Sequence, residues 1–141
     1  MINILHTIDT TGPGGAETVF INLLRLLDRE RFYSMAAIRG KGWVYDQVRA
    51  SGIEPVLIDA KGSFSLRYLM QLISLIRRYK IDVIQSHLFG SNVYCSMAGI
   101  LCNVAVISTM HGFVDTEKND RFLKLKMGIM NLGSDSIVFV S

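Results

Sequence analysis

Short apolar runs alternate with segments of helical periodicity along the whole chain. Ile2–Ile8 opens the series as a strand, and the segment 16–27 follows with apolar residues on one helical face. This alternation is typical of βαβ units built around a parallel sheet. We expect strands at 2–8, 32–38, 55–58, 82–86, 104–109 and 137–140, and helices at 16–27, 43–51, 66–79, 91–101 and 121–132.

Two of these helices carry boundary signals. Ser65 is of a residue type that caps helix N-termini, and Gly52 suits the left-handed residue that often follows a helix. The helix that begins at Leu66 has a broad apolar stripe, which we expect to face the core. Its members are Leu69, Met70, Leu72, Ile73 and Ile76.

Length and composition fit one domain. The chain has 141 residues, of which 50% are hydrophobic, so it can bury a single core. We therefore expect one α/β domain over residues 1–141, a three-layer Rossmann-like domain with a mostly parallel, twisted sheet. The sequence stops at or just after the apolar strand 137–140 with no closing helix, an ending that suggests either a boundary chosen within a longer protein or a gene that once continued.

The charge pattern makes nucleic acid an improbable partner. The net charge is +3, and the 15 lysines and arginines are dispersed rather than gathered into one run. Some of them flank apolar residues on two predicted helices, as membrane-docking helices do, although ordinary solvated helices show the same pattern. These basic residues are Arg67, Arg77, Arg78 and Lys80, and Lys118, Arg121, Lys124 and Lys126.

The run between Asp82 and Asp115 contains no Asp, Glu, Lys or Arg and is long enough to cross a membrane. Polar residues such as Gln85, Asn92 and Asn103 interrupt it, so a buried strand, helix and strand describes it better. We expect no membrane span here.

Cysteine usage and the N-terminus indicate a cytoplasmic protein. Cys95 and Cys102 lie seven residues apart on one predicted helix, so their spacing of roughly 10 Å along the axis excludes a disulfide. No Cys/His cluster has the spacing of metal ligands, and we expect no metal and no cofactor. The N-terminus lacks the basic region and cleavage site of a secretory signal.

Three polar segments follow predicted strands and are the best candidates for chemistry, because ligands of open parallel sheets bind beyond the carboxyl ends of the strands. The first is the glycine-rich loop Thr10–Glu17, which includes Gly14 and Gly15. Its glycines and the following helix N-terminus suit a phosphate group. The loop matches neither the dinucleotide fingerprint nor the Walker motif. A simple turn, with Glu17 favouring the helix dipole, explains the loop equally well.

Histidines end the other two segments. Asp82–His87 is a buried strand that becomes polar at its end, and His87 taken alone is most simply a hydrogen-bonded structural residue. Ile107–Gly112 is a strand that ends in His111 and Gly112. A histidine at that place followed by glycine belongs at the mouth of the crevice, which favours a function for His111.

These three segments, in this order, resemble the N-terminal domain of family 4 glycosyltransferases over essentially the whole chain. The resemblance implies the GT-B fold, in which two Rossmann-like domains face a cleft and the C-terminal domain holds most of the nucleotide-sugar. It implies that Gly14, Gly15 and Glu17 form a loop beside the donor diphosphate and the acceptor. It also implies that His111 is the catalytic residue that reaches the transferred sugar, with His87 and Gly112 lining the cleft.

The resemblance further implies a retaining transfer, without a metal, to a glycan or lipid-linked acceptor, with possible peripheral contact to the inner face of the membrane. The paired glutamates and the basic residues that neutralise the leaving diphosphate would belong to the C-terminal domain, which is absent from this chain. We therefore expect the chain alone to be inactive. A flavodoxin-like or regulatory binding domain, and half of a sugar-nucleotide epimerase, remain alternatives.

Overall fold

The computed structural model describes residues 1–59, 64–112 and 120–140, which form six strands and five helices in the predicted alternation. Lys118, one of the basic residues noted above, lies outside them. The strands are β1 (Ile2–Ile8), β2 (Phe32–Ile38), β3 (Val56–Leu57), β4 (Val83–His87), β5 (Ala105–Met110) and β6 (Ser136–Phe139). The helices are α1 (Gly15–Leu26), α2 (Trp43–Ala50), α3 (Leu66–Arg78), α4 (Phe89–Cys102) and α5 (Leu123–Gly133).

The strands form one sheet in the order β3-β2-β1-β4-β5-β6, and all five pairings are parallel. This confirms the predicted Rossmann-like α/β fold with its parallel sheet. Strands β2 and β3 follow β1 toward one edge of the sheet, and strands β5 and β6 follow β4 toward the other edge. The order therefore reverses between these two central strands, and their carboxyl ends flank the crevice where open parallel sheets bind ligands.

Alternate residues of each strand face opposite layers of helices. Leu5, Ile84 and Val106 lie side by side on one face and pack against α3 and α4. On the other face, Ile8 and Ile38 pack against α1 and α2. The centre of that second layer is Phe20 of α1, whose side chain is fully buried. Burial of an aromatic side chain of this kind contributes about 1.5–3 kcal/mol, so this ring firmly anchors α1 to the sheet.

Helices α4 and α5 pack closely because glycines lie at their contacts. A Cβ atom on Gly133 would collide with the backbone of Ser96, and one on Gly99 would collide with Val106 of β5. The Asp135 carboxylate, just after α5, accepts a hydrogen bond of 2.8 Å from the backbone N–H of Val106. These contacts join the end of α5 to β5 and align β6 beside it.

Local details confirm some predictions and correct others. The Ser65 hydroxyl caps α3 by accepting a hydrogen bond of 3.2 Å from the backbone N–H of Tyr68, and Gly52 has a φ of +81° after α2. The inward position predicted for Met70 is wrong, because its side chain is 56% exposed. At 100° per residue, position 70 lies at the edge of the stripe, where periodicity alone does not decide burial.

The long uncharged run folds as β4, α4 and β5, as predicted. No helix in the described part of the chain has both the length and the apolar character needed to cross a membrane. Cys95 and Cys102 both lie on α4 and both are free thiols, as expected from their spacing.

Candidate active site

The three candidate segments meet at one edge of the sheet. The glycine-rich loop follows β1, His87 is the last residue of β4, and His111 comes directly after β5. Since these three parallel strands are neighbours, their carboxyl ends lie side by side, with His87 level with Ile8 and Thr109. The fold thus brings together residues that are about a hundred positions apart in the sequence.

The two central glycines of the loop have different surroundings. Gly14 is extended, with φ 178° and ψ −179°, and a Cβ atom there would collide with the Glu17 carboxylate. A Cβ atom on Gly15, the first residue of α1, would meet no other group of the described residues within 4 Å. A side chain at position 14 would therefore force the Glu17 carboxylate to move, whereas the space beside Gly15 is open among the described residues.

Glu17 is folded back onto this loop. Its carboxylate accepts a hydrogen bond of 2.5 Å from the Thr10 hydroxyl, and only 9% of the residue is exposed. The loop is braced from α2 as well, because the backbone N–H of Val44 donates to the carbonyl oxygen of Thr11 at 3.0 Å. These contacts hold the loop in one conformation and keep the Glu17 carboxylate beside Gly14.

His87 and His111 form a pair. The distance between His87 Nδ1 and His111 Nε2 is 3.1 Å, and the two rings stack with centroids 5.4 Å apart at an interplanar angle of 29°. His87 is fully buried, so it does not line the surface of the crevice as predicted; it lies behind His111, which is partly exposed. Gly112 follows with a φ of +95°, a left-handed conformation that favours glycine.

A ring from α1 connects the pair to the glycine-rich loop. Phe20 packs perpendicular to His87, with ring centroids 5.6 Å apart, and also contacts His6 of β1 at 6.4 Å. Burial lowers the pKa of His6 to about 4, and burial together with the nearby His111 and His6 lowers the pKa of His87 to about 3. His6 and His87 are therefore neutral at physiological pH.

Asn92 supports the end of β5, and sequence reasoning did not single it out as a site residue. Its side-chain NH2 group donates to the carbonyl oxygen of Thr109 at 3.0 Å and contacts Met110 Sδ at 3.4 Å. Gln85 Nε2 donates to the Thr109 hydroxyl at 2.8 Å. The Asn92 contact holds the backbone of Thr109, two residues before His111, and the Gln85 contact holds the Thr109 side chain. In the sequence, the only signal for this role of Asn92 was a polar amide within the uncharged, apolar segment that forms α4.

The buried hydroxyl groups beneath α4 satisfy one another. Thr7 Oγ1 lies 2.7 Å from Ser91 Oγ, and Ser86 Oγ donates to Ser91 Oγ at 3.0 Å. Cys95 Sγ lies 3.2 Å from Thr7 Oγ1, and burial raises the pKa of this thiol despite the neighbouring hydroxyls. The thiol is therefore a structural group and not an activated nucleophile.

A cavity of about 450 Å³ opens beside the same edge of the sheet, and its walls are mainly aromatic and aliphatic. Charged groups stand among them: Asp9 at the end of β1, Arg39 after β2, and the ion pair of Lys126 and Asp120, whose atoms are 2.6 Å apart. The apolar lining comes from Phe64, Tyr68, Phe89, Val93, Tyr94, Met97, Phe122, Leu125 and Ile129. The sequence predicted the separate helices but not this shared cavity.

Comparison with known proteins identifies the family. Residues 13–141 match the sequence model of Glycosyltransferase Family 4, which leaves out only the first twelve positions. The chain belongs to Glycosyltransferase Family 4. This family 4 domain is also 26% identical, over its whole length, to the capsular polysaccharide biosynthesis glycosyltransferase CapH of Staphylococcus aureus, of which it covers 41%.

Solved structures agree on the fold. The family 4 domain superposes on HepE of Anabaena, crystallised in complex with UDP-glucose, with a TM-score of 0.78 at 15% identity, over 97% of this chain and 37% of HepE. MurG of Acinetobacter baumannii gives a TM-score of 0.72 at 11% identity, over 99% of this chain and 41% of MurG. The chain thus has the fold of one half of GT-B glycosyltransferases and spans about two fifths of the proteins it matches.

The described residues of this family 4 domain contain no group of three or more His, Cys, Asp or Glu side chains placed to hold a metal ion. Near the crevice, Arg39 and Asp59 form an ion pair with a distance of 3.0 Å. At this edge of the sheet the described residues present the open space at Gly15, the partly exposed His111 and the apolar cavity.

Proposed function

We propose that this chain is the acceptor-side half of a glycosyltransferase that moves a sugar from a nucleotide-sugar to a glycan or lipid-linked acceptor, with retention at the anomeric carbon. One observation carries the proposal: the glycine-rich loop and the histidine pair flank the reversal of strand order between β1 and β4. A C-terminal domain of the same protein would hold the nucleotide, and we assign no metal or cofactor to the transfer.

In this proposal the glycine-rich loop approaches the donor diphosphate and the acceptor. The open space beside Gly15 lets a ligand come close to the N-terminus of α1, whose free N–H groups favour a negative charge. Glu17 stabilises the loop by accepting a hydrogen bond from the Thr10 hydroxyl, and this bond keeps the Glu17 carboxylate beside Gly14. A Cβ atom at position 14 would displace that carboxylate.

His111 is the proposed catalytic residue. A retaining transfer develops positive charge at the anomeric carbon, so a polar group held beside the sugar can orient it and stabilise the transition state. The end of β5, fixed by Asn92 and Gln85, provides the rigid support that such a contact requires. A Cβ atom on Gly112, the next residue, would meet no described group within 4 Å, so this position leaves room for the sugar.

Substitution of His111 tests this role. In the complete protein, with UDP-glucose as the first donor of a panel of UDP-sugars, we expect His111→Ala to lower kcat roughly a hundredfold, as for a lost transition-state contact. Affinity for free UDP should stay within a few fold, because the nucleotide would bind mainly to the other domain. An unchanged kcat, or a fall explained entirely by unfolding in a thermal melt, would contradict the catalytic assignment.

The apolar cavity is the proposed site for the non-sugar part of a lipid-linked acceptor. Its lining residues Phe122 and Leu125 are 59% and 61% exposed, so their side chains stabilise the fold little and remain available to a ligand. Arg121 and Lys124 lie beside them on the surface and would favour an anionic membrane. This arrangement supports a location at the cytoplasmic face of a membrane, where such acceptors are found.

Octyl glucoside and glucose form a suitable pair of probes for the cavity. We expect octyl glucoside to bind more tightly than glucose, and Leu125→Ser to weaken its binding roughly fivefold by removing about 1 kcal/mol of apolar contact. Leu132→Ser is the matched control, since Leu132 lies on the same helix, is 79% exposed and does not line the cavity. Equal binding of the two probes would show that the cavity takes a sugar instead.

The epimerase alternative has a structural basis of its own. A protein described as a UDP-N-acetylglucosamine 2-epimerase, from Listeria monocytogenes, superposes on this chain with a TM-score of 0.66 at 13% identity, over 96% of this chain and 38% of that one. The fold alone therefore does not separate the two reactions, and the sequence family favours transfer. Incubation of the complete protein with UDP-N-acetylglucosamine and no acceptor decides between them, because only an epimerase would produce the 2-epimer.

A further inference from the structure

The apolar surface of the cavity continues along α4 and α5. Each of these helices follows a strand of the parallel sheet, so it runs from the carboxyl edge of the sheet back toward the amino edge. Met97 of α4 and Ile129 of α5 line the cavity. One turn further along each helix come Ile100 and Leu132, whose apolar side chains are both exposed. We call the path formed by these four residues the α4–α5 groove.

Helical geometry places the exposed side chains of the groove on the same side as the cavity. Seven residues separate Leu132 from the cavity-lining Leu125, so the two face nearly the same direction, with an offset of about 20°. Met97 and Ile100 are three residues apart and therefore adjacent on the surface of α4. Side chains in a helix tilt toward its N-terminus, so Leu132 leans back toward the cavity.

The groove has a closed floor and carries no charge. A Cβ atom on Gly133 would collide with the backbone of Ser96, and one on Gly99 would lie 3.7 Å from the carbonyl oxygen of Gly133. This close approach leaves no gap between the helices, so a ligand would rest on the groove without entering the core. Neither α4 nor the part of α5 after Lys126 contains a charged residue. A hydrocarbon could therefore cover the groove without burying a charge.

We propose that the α4–α5 groove holds the far end of the hydrocarbon chain of a lipid-linked acceptor, whose near end lies in the cavity. The inference rests on the proposed function, which places the sugar at the carboxyl edge beside His111, so the chain would extend along the helices away from that edge. Continuity with the apolar cavity favours a hydrocarbon over an extended peptide, because a peptide would bring backbone N–H and C=O groups that need hydrogen-bond partners.

The length of α5 determines how long the chain must be. Leu132 lies nine residues after Leu123, the first residue of the helix, which is roughly 14 Å along the axis. An extended chain of tetrahedral atoms advances about 1.2 Å per bond, so an octyl chain spans roughly 10 Å and a dodecyl chain roughly 14 Å. From the carboxyl edge, only the longer of these two chains reaches Leu132.

Two alkyl maltosides with the same head group test the groove in the complete protein. Titration calorimetry with octyl and dodecyl maltoside, each below its critical micelle concentration, would compare the wild type with Leu132→Ser and Leu125→Ser. We expect Leu132→Ser to weaken binding of dodecyl maltoside roughly fivefold, as for one lost apolar contact, and to leave octyl maltoside unaffected. Leu125→Ser should weaken both, because Leu125 lines the cavity.

Leu26→Ser is the matched control. Leu26 is 83% exposed and lies on α1, in the helix layer on the opposite face of the sheet, so its substitution should change neither affinity. Equal losses for the two maltosides in Leu132→Ser, or no loss for either, would overturn the inference. A lower melting temperature of Leu132→Ser with unchanged binding would overturn it as well, since another part of the complete protein would then cover the groove.

Failure of the proposed function is a separate result. A complete protein that transfers no sugar from any UDP-sugar would refute the proposed function, whatever its affinity for maltosides. If Leu132→Ser still affected only the dodecyl compound, the groove would remain a site for a long hydrocarbon chain. Conversely, an active transferase in which chain length has no effect on the Leu132→Ser result would retain the proposed function and lose the groove.

Discussion

The two adjacent glycines of the loop should respond in opposite ways to the same substitution. In Gly14→Ala the new methyl group would occupy the place of the Glu17 carboxylate, which would have to move and release the Thr10 hydroxyl. A hydrogen bond to a charged group contributes about 1.5–3 kcal/mol, and replacing glycine by alanine returns roughly 0.4–1 kcal/mol through the unfolded state. The net loss of stability is therefore about 0.5–2.6 kcal/mol.

Gly15→Ala should leave stability unchanged or raise it slightly. The added methyl group meets no described neighbour within 4 Å, and alanine is favoured over glycine in a helix by up to about 1 kcal/mol. If a ligand uses the open space, however, the methyl group would obstruct it and transfer should fall roughly tenfold. Gly128→Ala is the matched control, because Gly128 also lies on a helix with open space around it.

A double-mutant cycle isolates the contact responsible. Urea denaturation followed by circular dichroism would give the free energy of unfolding for wild type, Gly14→Ala, Glu17→Ala and the double variant. Once Glu17 is truncated, Gly14→Ala has nothing to displace, so its cost should vanish and the coupling should exceed about 1 kcal/mol. Additive effects would refute the steric argument, and full activity of Gly15→Ala would show that the loop is only a turn.

Two further predictions concern the N-terminus of α3 and the isolated chain. Ser65→Ala should lower the free energy of unfolding by about 1 kcal/mol, because the backbone N–H of Tyr68 loses its hydrogen bond to the Ser65 hydroxyl. Ser74→Ala is the control, since Ser74 lies at an exposed position within the same helix, and it should leave the free energy of unfolding unchanged. Equal effects of the two substitutions in urea denaturation would contradict the capping role. The 141-residue chain alone should neither transfer nor hydrolyse UDP-glucose, because the groups that would stabilise the leaving diphosphate are expected in another domain. Turnover of UDP-glucose by the purified chain would contradict this prediction.

The order of elements and the location of the candidate site could be predicted from the sequence because both depend on local patterns. Apolar runs and helical periods identified each strand and helix, and β4 and α4 differ from the prediction by only one or two residues. The rule that ligands bind at the carboxyl ends of parallel strands then selected Gly15 and His111 without knowledge of the strand order. The resemblance to family 4 glycosyltransferases rested on the same residues.

The partnership of His87 with His111 could not be predicted, because it depends on which strands are neighbours. The sequence shows two histidines at two strand ends. Only the parallel pairing of β4 with β5, in the register that sets His87 beside Thr109, brings the two rings within hydrogen-bond distance. The same pairing buries His87 behind His111, which is why its predicted position at the crevice surface was wrong.

Burial at the edges of helices and the shape of cavities were likewise decided by tertiary structure. Met70 follows the helical period of its neighbours, but the width of the contact between α3 and the sheet leaves it exposed. The apolar cavity is shared by α3, α4 and α5, whose sequences each show only one of its walls. Local sequence determines which side chains each element presents, and the packing of the elements determines which of those side chains meet, because contacts between distant segments exist only after the sheet is assembled.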